Sequence, residues 1–150
     1  QVLAILTILP GIVYQYILPR DSSGDSNKKL KKLTITVSII LAGLGFILAP
    51  IILPILFPKF TEAIEVIQIV SISVIPSTIN LMYISKFLGN ELSKIVLIGS
   101  GGFLSVQIVS IFILGELMGV NGVAMALVLG ASAEAIFLVT VNKVIYKLTD

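Results

Sequence analysis

The sequence predicts an all-α protein, a polytopic membrane helix bundle of about five transmembrane helices. Hydrophobic residues make up 57% of the chain, charged residues only 12%, and the mean hydropathy is +1.11. A soluble domain is about 45–50% apolar and about 25% charged. The apolar residues come in runs of about 20, the length that spans a bilayer. These runs lack period-two alternation and are roughly two to three times the usual strand length, which disfavours a β-barrel.

The apolar runs are separated by polar or glycine-containing turns and form one membrane domain over residues 1–150. We predict helices A to E at residues 2–18, 33–57, 63–88, 95–114 and 120–146. A polar loop rich in Ser and Lys covers residues 19–32, between helices A and B. Because the chain starts at Gln1, already inside an apolar run, we expect a fragment whose N-terminal half is missing.

The basic residues predict how the helices are threaded. Alternating five helices puts loop 19–32, the C–D turn and the C-terminus on one side of the membrane. That side receives nine of the ten basic residues, and the other side receives Lys59 alone. The nine are Arg20, Lys28, Lys29, Lys31, Lys32, Lys86, Lys94, Lys143 and Lys147. Loops rich in Lys and Arg stay in the cytoplasm. We therefore predict a multi-pass protein of the cytoplasmic membrane with a cytoplasmic C-terminus.

Several kinds of chemistry are disfavoured by the residue types. The chain has no Cys and no His, which removes thiolates, the commonest general base and the commonest metal ligand. It has no Walker-type phosphate loop, and its basic residues are not spread as a nucleic-acid patch. We predict no enzyme activity, no catalytic residue, no cofactor, no metal site and no nucleic-acid partner.

Glu134 is the most informative single residue, because it lies near the middle of helix E with no basic residue within one turn. Placing a lone acid there costs about 2.5–3.5 kcal/mol on insertion scales. Gly122, Ala126, Gly130 and Glu134 recur every four residues and so share one helix face, which small residues open to close packing. Glu134 should therefore face protein or a water-filled cavity. It is either a proton, cation or polar-substrate site, or a protonated carboxyl bonded to a neighbouring helix.

Four further residues are candidates for the same pathway or its motion. Pro76 should kink helix C, as a static bend or as a flexible point, and the polar residues around it include Asn80. Gln107 on helix D could line a cavity or bridge two helices. Lys86 is either a lysine snorkelling to the interface or a contact for an anionic head group.

Several segments resemble the polysaccharide (oligosaccharidyl-lipid) flippases. Residues 56–76, LFPKFTEAIEVIQIVSISVIP, resemble a helix that ends at a Phe–Pro corner, followed by a short acidic or aromatic segment that opens the next helix. Residues 87–89, FLG, precede a polar turn, and residues 8–12, ILPGI, resemble the Pro-bearing end of an earlier helix. Residues 119–126, GVNGVAMA, resemble the family's Gly-x-x-Gly-x-Ala-x-Ala start of its last core helix.

The resemblance implies the C-terminal part of a transporter of the multidrug/oligosaccharidyl-lipid/polysaccharide exporter superfamily. The five helices would be most of the second lobe of a MATE-like transporter fold. It implies alternating access, with a polyprenyl-linked oligosaccharide and membrane lipid as partners. One departure is that no basic residue lies deep in a helix, although flippase cavities often carry Arg or Lys for the substrate's phosphates.

The sequence is therefore compatible with three functions. The first is a flippase for lipid-linked oligosaccharides, the second a cation-coupled multidrug exporter of the same superfamily, and the third a non-transporting membrane scaffold subunit. Glu134 slightly favours ion coupling, and Glu134 together with Asn80 and Gln107 argues against a scaffold, which needs polar residues only at its loops.

Overall fold

Long α-helices account for the fold of the described residues, which are 28–56 and 58–147 of a computed structural model. The helices are α1 (Lys28–Leu56), α2 (Ile64–Gly89), α3 (Ser93–Met118) and α4 (Val120–Lys147). A 3-10 helix, Pro58–Ala63, joins α1 to α2. These four helices correspond to predicted helices B to E. Predicted helix A, at residues 2–18, and the loop up to residue 27 lie outside the described residues.

All four helices are long and apolar enough to cross a membrane. The 26 residues of α2 extend about 39 Å at about 1.5 Å per residue, more than the roughly 30 Å of a bilayer's hydrocarbon core. On α3, Leu97, Phe112 and Leu117 are each 75% exposed, and neighbouring apolar side chains are exposed as well. Such a surface would be unfavourable in water and is favourable in lipid. The helices indicate a multi-pass membrane protein, as the composition predicts.

The helices are arranged side by side in the order α1, α2, α4, α3. Helix α2 packs between α1 and α4, and α3 packs on the other side of α4. Side-chain hydrogen bonds fix the directions: Ser38 donates to Thr78 at 2.8 Å, and Gln68 donates to the Phe46 carbonyl at 3.0 Å. From the first contact to the second, the residue number rises on α1 and falls on α2, so these two helices are antiparallel. Asn80 contacts Glu134 and Lys86 contacts Asn142, so the residue numbers of α2 and α4 rise together and these two helices are parallel.

The α3–α4 corner is the tightest connection. Gly119 alone separates the two helices, with φ 59° and ψ −132°, a conformation that is essentially restricted to glycine. Its N–H donates to the Gly115 carbonyl at 2.9 Å and closes the end of α3. Three residues later, Gly122 lies directly against the Leu114 carbonyl of α3. A side chain at position 122 would occupy the space of that carbonyl.

Two predicted boundaries were wrong. Helix α1 begins at Lys28 rather than at residue 33, so the lysine cluster belongs to a helix and not to a loop. Helix α3 continues to Met118, past the predicted end at residue 114. In both places the helical backbone hydrogen bonds continue past the apolar segment. Hydropathy indicates where a span leaves the lipid, and the helix need not end at that point. Lys is also a good helix former.

Candidate functional site

The predicted small-residue face of α4 is buried in the bundle. Gly122, Ala126, Gly130 and Glu134 are all buried, and Ala126 is fully inaccessible. At Gly130 an added Cβ would lie 3.1 Å from the Phe103 ring and 3.2 Å from the Cβ of Gln107. At Gly99 on α3 it would lie 3.2 Å from Phe137 and Leu138. The glycines thus let α3 and α4 approach closely, as the prediction required.

Glu134 is the centre of a polar cluster that joins three helices. It is the fifteenth of the 28 residues of α4 and is 7% exposed. Asn80 Nδ2 on α2 donates to Glu134 Oε2 at 2.9 Å, and Ser100 Oγ on α3 donates to Glu134 Oε1 at 2.9 Å. Each carboxylate oxygen therefore accepts a hydrogen bond from a different helix. The prediction that Glu134 faces protein rather than lipid is confirmed.

Both hydrogens of the Asn80 side-chain amide are donated to acceptors on α4. Its second Nδ2 hydrogen donates to the Ala131 carbonyl at 3.0 Å, one turn before Glu134 on α4. Turning the amide over would place Oδ1 against two acceptors, so the chemistry of the two contacts fixes its orientation. Asn80 is 5% exposed, and within the described part of the chain its Oδ1 has no hydrogen-bond partner. A buried acceptor left unsatisfied costs about 1–3 kcal/mol, so a donor that reached Oδ1 would be stabilised there.

Two other polar contacts hold α2 against α4, one near each end. Asn121 Nδ2 donates to Glu65 Oε2 at 2.6 Å, where both helices begin. Lys86 Nζ donates to Asn142 Oδ1 at 2.8 Å, near the ends of both helices. Together with the Asn80 contacts, these bonds tie the two parallel helices at three levels. These bonds hold α2 against α4 along most of the length of both helices.

The predicted site residues are only partly brought together. Asn80 and Glu134 are in direct contact, whereas Gln107 lies one turn away, against Gly130. Lys86 lies two turns from Glu134, at the end of the bundle. Helix α2 continues through Pro76, and the hydroxyls of Ser71, Ser73 and Thr78 bond to the carbonyls of Ile67, Val70 and Val74.

Ser100 was missed by reasoning from sequence. It sits in the segment Gly99-Ser-Gly-Gly102, where Gly99 lies at a close contact between α3 and α4. A short hydroxyl side chain next to a glycine at a close helix contact can reach a neighbouring helix, and that was the available signal. Asn121 and Asn142, which bond to Glu65 and Lys86, were likewise not singled out, because each lies near a helix end among other polar residues.

No protein-family model, curated protein or solved structure matches this chain.

Proposed function

We propose that this chain is part of a membrane transporter that flips a lipid-linked oligosaccharide across the cytoplasmic membrane by alternating access. The observation that carries the proposal is the buried cluster of Glu134, Asn80 and Ser100, halfway along the helices. A carboxyl in this place is costly, and ionisable groups inside membranes usually mark a path for substrate or ions. The resemblance to the flippases, drawn from sequence, supports the same class.

The cluster suits a sugar chemically. A sugar presents many hydroxyls, each of which is both a donor and an acceptor. Asn80 Oδ1 accepts from such a hydroxyl, and the Glu134 carboxylate accepts further bonds beyond those from Asn80 and Ser100, since its two oxygens offer about four lone-pair positions. In the proposed cycle α2, α3 and α4 move together, because each contributes one side chain to this cluster, and α1 shifts against them.

Glu134→Gln in the full-length protein should lower transport about tenfold or more without lowering its abundance in the membrane. The amide keeps the size of the carboxyl, accepts from Asn80 and donates to the Ser100 hydroxyl, so the helices stay joined. It cannot carry the negative charge or exchange a proton, so any step of transport that uses the carboxyl is lost. Movement of a labelled polyprenyl-linked oligosaccharide across proteoliposomes measures the effect.

Glu116→Gln is the matched control, because Glu116 is exposed near the end of α3. It should leave transport unchanged. Normal transport by Glu134→Gln at normal abundance would refute the role of the carboxyl, and absence of transport by the unmodified protein would favour the scaffold hypothesis.

A second candidate, a cation-coupled multidrug exporter, is favoured by one aspect of the same cluster. Glu134, Ser100, the Ala131 carbonyl and the Asn80 amide bring several oxygens around one negative charge. A single carboxylate suits a proton or a monovalent cation better than a divalent ion, which usually takes several carboxylates. Uptake of a cationic drug driven by a Na⁺ or pH gradient, with no movement of the oligosaccharide lipid, would select this candidate.

A further inference from the structure

Helix α1 contains two prolines in its interior, Pro50 and Pro54. A proline has no backbone N–H, so the carbonyl four residues earlier loses its helical hydrogen bond, and the proline ring also clashes with that carbonyl. Pro50 therefore leaves the Phe46 carbonyl without its helical donor, and Pro54 does the same to the carbonyl of Pro50. A helix usually bends at such a position.

The Phe46 carbonyl lies where water does not replace the missing donor. The apolar span of α1 covers Lys32–Ile55, and Phe46 is about 14 Å from the nearer end of this span at about 1.5 Å per residue. A backbone carbonyl inside the hydrocarbon needs a donor from the protein, because lipid tails provide none.

Gln68 of α2 supplies that donor. Its Nε2 donates to the Phe46 carbonyl at 3.0 Å, so a side chain of one helix replaces the N–H that Pro50 lacks on the other. Gln68 is half-buried and lies one turn after the start of α2. The bend of α1 is thereby coupled to the neighbouring helix through one hydrogen bond.

Two glycines, Gly43 and Gly45, make the same stretch of α1 easier to bend. Glycine is a poor helix former, because it loses more conformational freedom than other residues when it is ordered. Nothing lies within 4 Å of a Cβ built at Gly43, so close packing does not explain a glycine there. Residues 43–50 thus combine two poor helix formers with a missing backbone bond, and we call them the α1 hinge.

The part of α1 before the hinge, residues 28–42, can leave α2 without losing hydrogen bonds. Ser38 donates to Thr78 at 2.8 Å, but its hydroxyl is also 2.9 Å from the Thr34 carbonyl of its own helix. Thr78 likewise donates to the Val74 carbonyl at 2.8 Å. Because each hydroxyl has an acceptor on its own helix, separation leaves both of them bonded. The part of α1 after the hinge has less freedom, because the 3-10 helix ties it directly to α2.

We propose that α1 bends at this hinge and that Gln68 is the latch that sets the bend. With the latch bonded, as in this structure, residues 28–42 lie beside α2. When the Gln68 amide releases the Phe46 carbonyl, the carbonyl turns to an N–H of α1 itself, such as that of Ile51, in a π-type turn, and residues 28–42 swing away from α2. Gln68 is a positioning residue that acts through the backbone of α1.

Distances between spin labels on the full-length protein test this proposal. The chain has no cysteine, so pairs of introduced cysteines can carry the labels. One pair replaces Leu33 and Leu97, which are both exposed at the end of the bundle where α1 and α3 begin. The reference pair replaces Ile55 and Leu117, which are exposed at the opposite end, beyond the hinge.

Gln68→Met keeps the length of the side chain and removes its amide. Leu33 is about 20 Å from Phe46 along the helix, so a change of about 20° in the bend moves it by about 7 Å. We expect the distance of the first pair to shift or broaden by about this amount and the reference distance to stay unchanged.

The two prolines provide the matched comparison. Pro50→Ala returns an N–H to the Phe46 carbonyl, so adding Gln68→Met to this variant should change nothing further. Pro54→Ala returns an N–H to the carbonyl of residue 50 instead, so adding Gln68→Met should still shift the first distance. This double-mutant cycle isolates the contact between the latch and the carbonyl that Pro50 frees.

Three results would overturn the proposal. They are an unchanged first distance in the Gln68→Met protein, an equal change at both label pairs, and an equal response to Gln68→Met in the Pro50→Ala and Pro54→Ala proteins. If Gln68→Met prevents accumulation in the membrane, abundance becomes the readout. Loss in the Pro54→Ala protein without loss in the Pro50→Ala protein then supports the latch, and any other pattern contradicts it. The readout is a distance and not transport, so this proposal and the proposed function can fail separately.

Discussion

Asn80→Asp should lower the free energy of unfolding by about 3–5 kcal/mol, the range for leaving a buried charge without compensation. The substitution changes no side-chain volume, but it replaces the amide donor by an acceptor. An aspartate at this position would face Glu134 Oε2 and the Ala131 carbonyl, which both need a donor. Two carboxyls in contact cannot both be ionised in a buried place, so one of them must take up a proton, and that single proton cannot serve both acceptors. Thermal unfolding of the purified protein in detergent, and abundance in the membrane, measure the effect.

Asn142→Asp is the matched control for this substitution. Asn142 presents its Oδ1 to the Lys86 ammonium, so an aspartate there would gain an ion pair rather than lose a donor. We expect its stability to be unchanged or slightly raised. Equal destabilisation by the two substitutions would show that any added negative charge destabilises the bundle. The loss of the Asn80–Glu134 hydrogen bond would then not explain the effect.

Gly122→Ala should destabilise the bundle by about 2 kcal/mol or more, the upper part of the range for overpacking. The added methyl group would collide with the Leu114 carbonyl, which is backbone and cannot rotate away. Helices α3 and α4 would have to separate at their corner, and the separation would disturb the contacts that follow along α4. A lower melting temperature and greater sensitivity to proteolysis at the α3–α4 corner are the expected observations.

Gly102→Ala is the corresponding control, because nothing lies within 4 Å of a Cβ built at Gly102. Both glycines are inside helices, so the two substitutions change helix propensity in the same direction. The Gly102→Ala protein should be as stable as the parent or slightly more stable. If both substitutions had the same effect, the close approach at Gly122 would not explain it.

Hydropathy predicted the four described helices because each is a long apolar run, and lipid accepts apolar residues on every face. It could not predict where the helices end. Lys28 to Lys32 are polar yet helical, since a helix needs backbone hydrogen bonds and not apolar side chains. Likewise, predicted helix D ends at residue 114, but α3 continues through Gly115 to Met118.

The site was predicted in part for a similar reason. A carboxyl within an apolar helix has a high free energy of insertion and is therefore rare, so Glu134 could be found from sequence alone. Its partner Asn80 lies 54 residues away, and the contact depends on α2 packing beside α4 rather than beside α3. Lateral order in a membrane bundle is set by the shapes of many small contacts, which periodicity does not encode. Ser100 was hidden for the same reason.

The parallel pairing of α2 with α4 has a consequence for how the protein is made. Synthesis delivers α2 to the bilayer before α4 exists, so Asn80 enters with no carboxylate to bond. The single-residue corner at Gly119 lets α3 and α4 insert together as a hairpin, with Ser100 already bonded to Glu134. Assembly is then completed when this hairpin docks on α2. Until α4 has inserted, the Asn80 amide has neither the Ala131 carbonyl nor the Glu134 carboxyl to bond, so the α2–α4 contact can form only late in synthesis.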